Sequence, residues 1–433
     1  MPCKDGTLVA VHSADLNITS NVHTFNNGEF RHKARRSEHS DEWGYYVHDF
    51  TWEEVQKLSV RQRVSETGAR YDGYDYLFGI PSFSQIVDLL HEWNTRELPL
   101  IGRPDKVGGV PGLYVELKLS QFFWKDANIS MPDLFLDELA AHPRASELLF
   151  DHVTLCDNLG YTEYRVPPLV VQSFNGDDLI YLKNKFKERW EDFVKEDALL
   201  SSNVMNSSLE ENDEIDHPWI PPLVLLVRYD SCQSTTFWFE VAKLPIAGIG
   251  PDKRCLLPSA EDIAANNTFA VVRAKHVARE WVAKAHSERL AVHPWTVRLE
   301  VDSDHHYGGV PAAIFGSAKE ELKFYYCELN IDAIFSENVA MALAVGAEGC
   351  AEYSSEEAPP EVGYSPSCEP EESRWLAGLL FLVMGGFAGS ILTFTISATH
   401  RNRRRGGKHM RIPSQQLPEM EIATMENEGN VIT

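Results

Sequence analysis

The chain has 433 residues, 43% of them hydrophobic and 11% aromatic, enough apolar matter for a large core. Its net charge of −24 argues against nucleic acid as a partner, because a polyanion would be repelled rather than held. The length suits two or three domains, or one barrel of about 250 residues with insertions.

Thr7 to His12 reads as a strand ending in a histidine, after the turn Lys4-Asp5-Gly6. Residues 26–49 are polar and aperiodic and read as a long loop. Thr51 caps a helix reaching Leu58, with Glu54 three residues on as in a capping box, and Ser82 caps a second from Phe83 to Trp93. A Gly/Pro turn ending at Gly112 leads into the strand Gly112 to Lys118. Strand alternation sets Glu116 and Lys118 on one side, about 7 Å apart. Such a pair suits a divalent cation and an oxyanion, although spacing alone favours an ordinary ion pair.

A helix is expected near residues 132–141, a strand from Leu169 to Phe174, and a helix from Asp177 to Glu191. Residues 200–217 are acidic and Ser/Asn-rich and read as a surface insertion. Strands follow at Leu223–Val227, Leu244–Ile249 and Val292–Val297, the last two separated by a helical pattern from Asn267 to Leu290. Ala318 to Tyr326 is helical, and Ile331 to Phe335 is the final strand. Short apolar strands alternating with helices imply parallel βα units closed as a (β/α)8 barrel. No GxGxxG follows a strand, which argues against a dinucleotide site. In a barrel the chemistry sits at the C-terminal strand ends, where His12, Glu116 with Lys118, Gln172, and Trp295 with Arg298 all fall. Gln172 reads as ordering the barrel mouth, His293 as a packed histidine, and His286, His305 and His306 as solvated.

Trp375 to Ala398 carries no charge, and at 1.5 Å per residue a helix of it would span about 36 Å, enough to cross a bilayer. Arg401, Arg403, Arg404, Arg405, Lys408 and Arg411 follow, so the positive-inside rule puts the tail in the cytoplasm and the large domain outside or in a lumen. That orientation needs an N-terminal signal, and none precedes the first strand. Sequons at Asn17, Asn128, Asn206 and Asn266 favour a lumenal domain. The seven cysteines cannot all pair internally and show no metal-type spacing; Cys350 and Cys368 are candidates to close a loop around the Pro/Glu/Ser stalk. The resulting domain plan is a barrel over 1–340, a stalk over 341–374, a transmembrane helix over 375–398 and a basic, then polar, tail over 399–433.

Several segments, in order, resemble the glycerophosphodiester phosphodiesterase family. They are Lys4 to His12 with Leu16 and Thr19 to Val22, Asp49 to Leu58, Tyr114 to Lys118, Val171 to Phe174, Gly248 to Lys253, Val292 to Arg298 and Ile331 to Ser336. The resemblance, to the long bacterial periplasmic form, implies a barrel of the phospholipase-C-like kind. Its implied reaction is hydrolysis of glycerophosphodiesters to glycerol 3-phosphate and an alcohol, with Ca²⁺ or Mg²⁺. By position it implies that His12 handles the leaving alcohol's proton and that Glu116 binds the metal. Lys118 would meet the phosphate, and Trp295 would line the substrate pocket; Arg298 is a further substrate-binding candidate.

The family pattern opens with a His-Arg strand and a Glu-x-Asp strand, both expected ahead of Lys4. Ser13 stands where the family usually has Asp, and Phe335-Ser336-Glu337-Asn338 where Thr-Asp-Phe-Pro is more usual. The chain as written is therefore expected to be an N-terminally truncated, weakly active or inactive version of a signal-bearing, membrane-anchored enzyme. Two other classes stay open: a non-catalytic membrane glycoprotein using the barrel for binding, and an enzyme of the same superfamily acting on lysophospholipid or sphingomyelin headgroups.

Overall fold

A computed structural model describes residues 1–37, 42–62, 73–94, 111–145, 153–156, 163–166, 169–189, 220–259, 262, 265, 267–299, 301–302, 310–311, 314–350, 379–383 and 392–396. The central sheet has eight strands: β1 (Gly112–Glu116), β2 (Leu169–Ser173), β3 (Leu223–Val227), β4 (Gly248–Pro251), β5 (Ala291–Val292), β6 (Ala333–Ser336), β7 (Leu379–Val383) and β8 (Leu392–Ile396). Its spatial order is β6-β8-β7-β1-β2-β3-β4-β5. Beyond β5 the chain alternates its bonds between two neighbours. Trp295 donates its backbone N–H to Pro251 (3.1 Å), and Val297 donates to Phe335 (2.8 Å). These bonds join the last strand to the first, and the sheet closes into a barrel.

Strands β1 to β6 run parallel, as the βα alternation implies, and β7 runs with them beside β1. β8 alone is reversed, antiparallel to both β6 and β7. In the structure the seventh and eighth strands of this barrel come from the chain's C-terminal apolar run. That run was expected to form one transmembrane helix. The described parts of that run, Leu379–Val383 and Leu392–Ile396, are strands, and their pairing gives β1 and β6 their second neighbours. Among the described residues no helix is long and apolar enough to cross a membrane. The rest of the run, the stalk from 351, the acidic insertion and the basic tail lie outside the described residues.

Helices cover the barrel: α1 (Phe83–Glu92), α2 (Ser120–Ala127), α3 (Met131–Ala141), α4 (Gly176–Glu188), α5 (Thr268–Ser287), α6 (Ala318–Lys323) and α7 (Val339–Glu348), all but α2 and α7 where the sequence placed them. Two capping boxes form as read, Thr51 with Glu54 and Ser82 with Gln85. The first helix is a single turn, Trp52–Val55. α7 was not anticipated; Asn338 caps it, and it runs past the boundary expected at residue 340. Thr7–His12 is not a sheet strand. Leu8 and Val9 make single bridges to Pro2 and Ser82, because both sides of β1 are already taken, by β2 and β7. The run Leu244–Ile249 bonds to β3 from Ala247, whose N–H donates to Leu223 O at 2.8 Å, while the backbone N–H of Leu244 is used by the preceding helical turn.

Residues 1–223 and 227–345 supply two buried apolar clusters, both packed by Leu225 and Ile246. Among the described residues two disulfides form, Cys232–Cys255 and Cys327–Cys350. The second corrects the expected Cys350–Cys368 loop.

Candidate active site

A cleft of about 910 Å³ opens at the C-terminal ends of the parallel strands. Strands β1 to β6 deliver residues to it: Glu116 and Lys118 from β1, Gln172 to Asn175 from β2, Arg228 to Ser231 from β3, Asp252 and Arg254 from β4, Trp295 and Thr296 after β5, and Phe335 from β6. His12 lines the same cleft from the N-terminal segment, its Nδ1 3.5 Å from Ser13 Oγ. Four of the five residues singled out from sequence, His12, Glu116, Lys118 and Trp295, therefore meet. Arg298 is not among the cleft residues; its Nε donates to Glu337 at 2.7 Å.

Glu116 and Lys118 lie mostly buried, with Lys118 Nζ donating to both carboxylate oxygens at 2.9 and 2.8 Å. Around them the cleft holds four cationic residues, Lys118, Lys125, Arg228 and Arg254, against three carboxylates, Glu116, Asp230 and Asp252. That surplus of positive charge suits a phosphodiester monoanion. Arg254 chelates Asp252, with Nε and Nη2 to its oxygens at 2.6–3.1 Å, and stands over the Tyr229 ring. Arg228 stands over Phe174 at 4.9 Å from the ring centre.

Trp295 sits edge-on to Phe174 and donates its indole Nε1 to Gly250 O at 2.8 Å. A Cβ on Gly250 would crowd its neighbours, falling 2.9 Å from Leu226 Cδ2 and 3.2 Å from His293 O. Below the floor, Asp178 at the start of α4 accepts from Ser120 Oγ, from Ser173 Oγ at 3.0 Å and from Asn175 Nδ2 at 2.9 Å. Burial pushes the Asp178 carboxyl up, opposed by these donors. One buried carboxyl so ties the loops after β1 and β2 together.

Arg228, Asp252, Arg254 and Phe174 were not singled out from the sequence. The signal was present, since Arg228 directly follows β3 and Asp252 directly follows β4, where barrel chemistry collects. His293 is a packed histidine as expected; His286, expected to be solvated, pairs with Asp332 at 2.9 Å, and His305 and His306 lie outside the described residues.

Residues 3–341 match the Glycerophosphoryl diester phosphodiesterase family. The chain belongs to that family. At 22% identity over 302 residues, glycerophosphodiester phosphodiesterase GDPD6 of Arabidopsis thaliana is similar to 69% of this chain. The match spans 64% of that relative, a little under two thirds of its length. A crystal structure from Silicibacter pomeroyi, assigned to the glycerophosphoryl diester phosphodiesterases, shares 16% identity over 69% of this chain and 71% of that one, with a TM-score of 0.36.

Divalent-metal dependence is general in this family. Among the described residues, however, no three His, Cys, Asp or Glu side chains gather as a metal cage. Both oxygens of Glu116 are engaged by Lys118, and Asp252 is chelated by Arg254. The described side chains do not by themselves fit a hard cation, which takes six or more oxygens.

Proposed function

We propose that the chain is a phosphodiester hydrolase that cleaves glycerophosphodiesters to glycerol 3-phosphate and an alcohol. The observation that carries this reading is the convergence of His12, Glu116, Lys118 and Trp295 in one cleft at the barrel mouth, within a chain of this family. A phosphodiester brings one negative charge, and that charge rises as phosphorus is attacked. Lys118, able to exchange Glu116 for a phosphate oxygen, offsets it. His12 protonates the departing alkoxide while water adds its oxygen to phosphorus, and the proton that the water gives up reprotonates His12. The Trp295–Phe174 wall packs the apolar edge of the glycerol and shields the site from bulk water. The family's divalent-metal dependence makes Ca²⁺ and Mg²⁺ the ions to supply in the test, and the steps above are those of the chain's own residues.

The large domain is proposed to face the outside or a lumen, anchored by residues 375–398 with the tail in the cytoplasm. What supports anchoring is sequence: an uncharged run followed by six cations, with two disulfides that suit an oxidising compartment. A second reading, a binding module without turnover, draws support from the closed Glu116–Lys118 pair.

The test is release of glycerol 3-phosphate from glycerophosphocholine with Ca²⁺ or Mg²⁺. Turnover should fall about 10²- to 10⁴-fold in His12→Ala, the range of a lost general acid, and Glu116→Ala and Lys118→Met should lose it comparably. Binding without turnover in the unmutated chain would favour the second reading.

A further inference from the structure

Directly after β4 the chain places Asp252 and Arg254 in the cleft, but the residue between them, Lys253, is not among the cleft residues. Its side chain is buried, and its Nζ donates to Glu321 Oε1 at 3.1 Å. Glu321 is fully buried on α6, 68 positions along the chain. Burial pushes the Glu321 carboxyl up, opposed first by Lys253 and then by the Tyr325 hydroxyl and Arg298. A single contact of that length offsets little of what burying two charges costs. Apolar side chains of similar volume would hold the fold as well or better. Stability therefore does not account for the pair.

Position does. The backbone N–H of Lys253 donates to Trp295 O at 2.9 Å, and Trp295 N–H donates to Pro251 O at 3.1 Å. The Trp295 indole adds its bond to Gly250 O, so three hydrogen bonds tie this residue to the strand end and turn at 250–253. The turn in turn is fixed from behind, by the Lys253 side chain reaching α6. An ammonium and a carboxylate buried together have few alternative partners, so they set turn and helix in one register where an apolar contact could slide. We propose that Lys253 and Glu321 are positioning residues which, acting through Trp295, hold the aromatic wall of the cleft in place for the substrate. This rests on the phosphodiesterase reading for the identity of the ligand, while its test reads binding.

The experiment is calorimetric titration with glycerol 3-phosphate of four full-length chains: unmutated, Lys253→Met with Glu321→Leu, Trp295→Ala, and all three substitutions together. By urea unfolding the paired variant should be as stable as the unmutated chain or more so. It should nevertheless bind the probe about five- to tenfold more weakly, as Trp295→Ala should. The triple variant should bind no more weakly than either, because both changes act on one wall. Unchanged affinity in the paired variant, or losses that add in the triple variant, would overturn the proposal. A paired variant that loses stability would make the pair a staple and overturn it too, as would an unmutated chain that does not bind the probe. Glycerophosphocholine turnover, measured on the same preparations, tests the hydrolase by itself. The expected binding losses without turnover would sink the hydrolase and leave the role of Lys253 and Glu321 standing.

Discussion

Inside the barrel, Tyr114 and His293 are both buried, the tyrosine hydroxyl 2.9 Å from His293 Nδ1. Burial holds His293 down at about 4 from its usual 6.5, with only Asp332 opposing, and holds the Tyr114 hydroxyl well above its usual range. In the unfolded chain the imidazole takes a proton near pH 6.5, and in the folded protein only near pH 4. Between those values the unfolded state binds more protons, so stability falls as pH drops, by about 3 kcal/mol over the window. Unfolding free energies from urea titrations at pH 7 and pH 4 should therefore differ by about that much more in the native chain than in His293→Gln, which keeps an acceptor for Tyr114. Identical acid dependence would remove His293 as the cause. At this scale the sequence was informative where a residue ends a strand or precedes a proline, as with Glu116, Lys118 and His293. It was silent on Asp178, whose role comes from Ser120, Ser173 and Asn175 converging in space.

Among the elements, the loops after β3 and β4 carry much of the cleft's charge, and the Cys232–Cys255 disulfide joins them. Cys232 ends the helical turn Tyr229–Cys232, beside Arg228 and Asp230; Cys255 follows Asp252 and Arg254 in the next turn. Closing a loop with a sequence separation of 23 restricts the unfolded chain by about 3 kcal/mol. Cys232→Ser with Cys255→Ser should lower stability by up to that amount. It should also raise KM for the phosphodiester more than it lowers kcat, because the loops bind the substrate rather than transfer its proton. A double variant with unchanged KM would show the disulfide to be a staple alone. Elements with strong local signals, the capped helices and β1 to β3, were legible in the sequence almost to the residue. The disulfides were not, because cysteines 23 residues apart meet only once β3 and β4 are side by side.

For the whole molecule, the decisive stretch is the uncharged run Trp375–Ala398. The alternation of strands and helices revealed the parallel barrel, but not that β7 and β8 complete it, because an apolar run of that length satisfies a bilayer or a sheet interior equally well. The two uses make different demands. As β7 and β8, the run pairs the edges of β1 and β6, and removing it strips two strands from a closed barrel. As a membrane span, it withdraws from the sheet, and removing it only frees the domain from the lipid. The proposed anchoring predicts that the full chain, made in cells, sediments with membranes and resists alkaline carbonate extraction. A chain ending at residue 374 should then be recovered in the soluble fraction with a single cooperative unfolding transition. Loss of that transition in the shortened chain, together with carbonate-extractable full-length protein, would assign the run to the barrel, with the edges of β1 and β6 dependent on it.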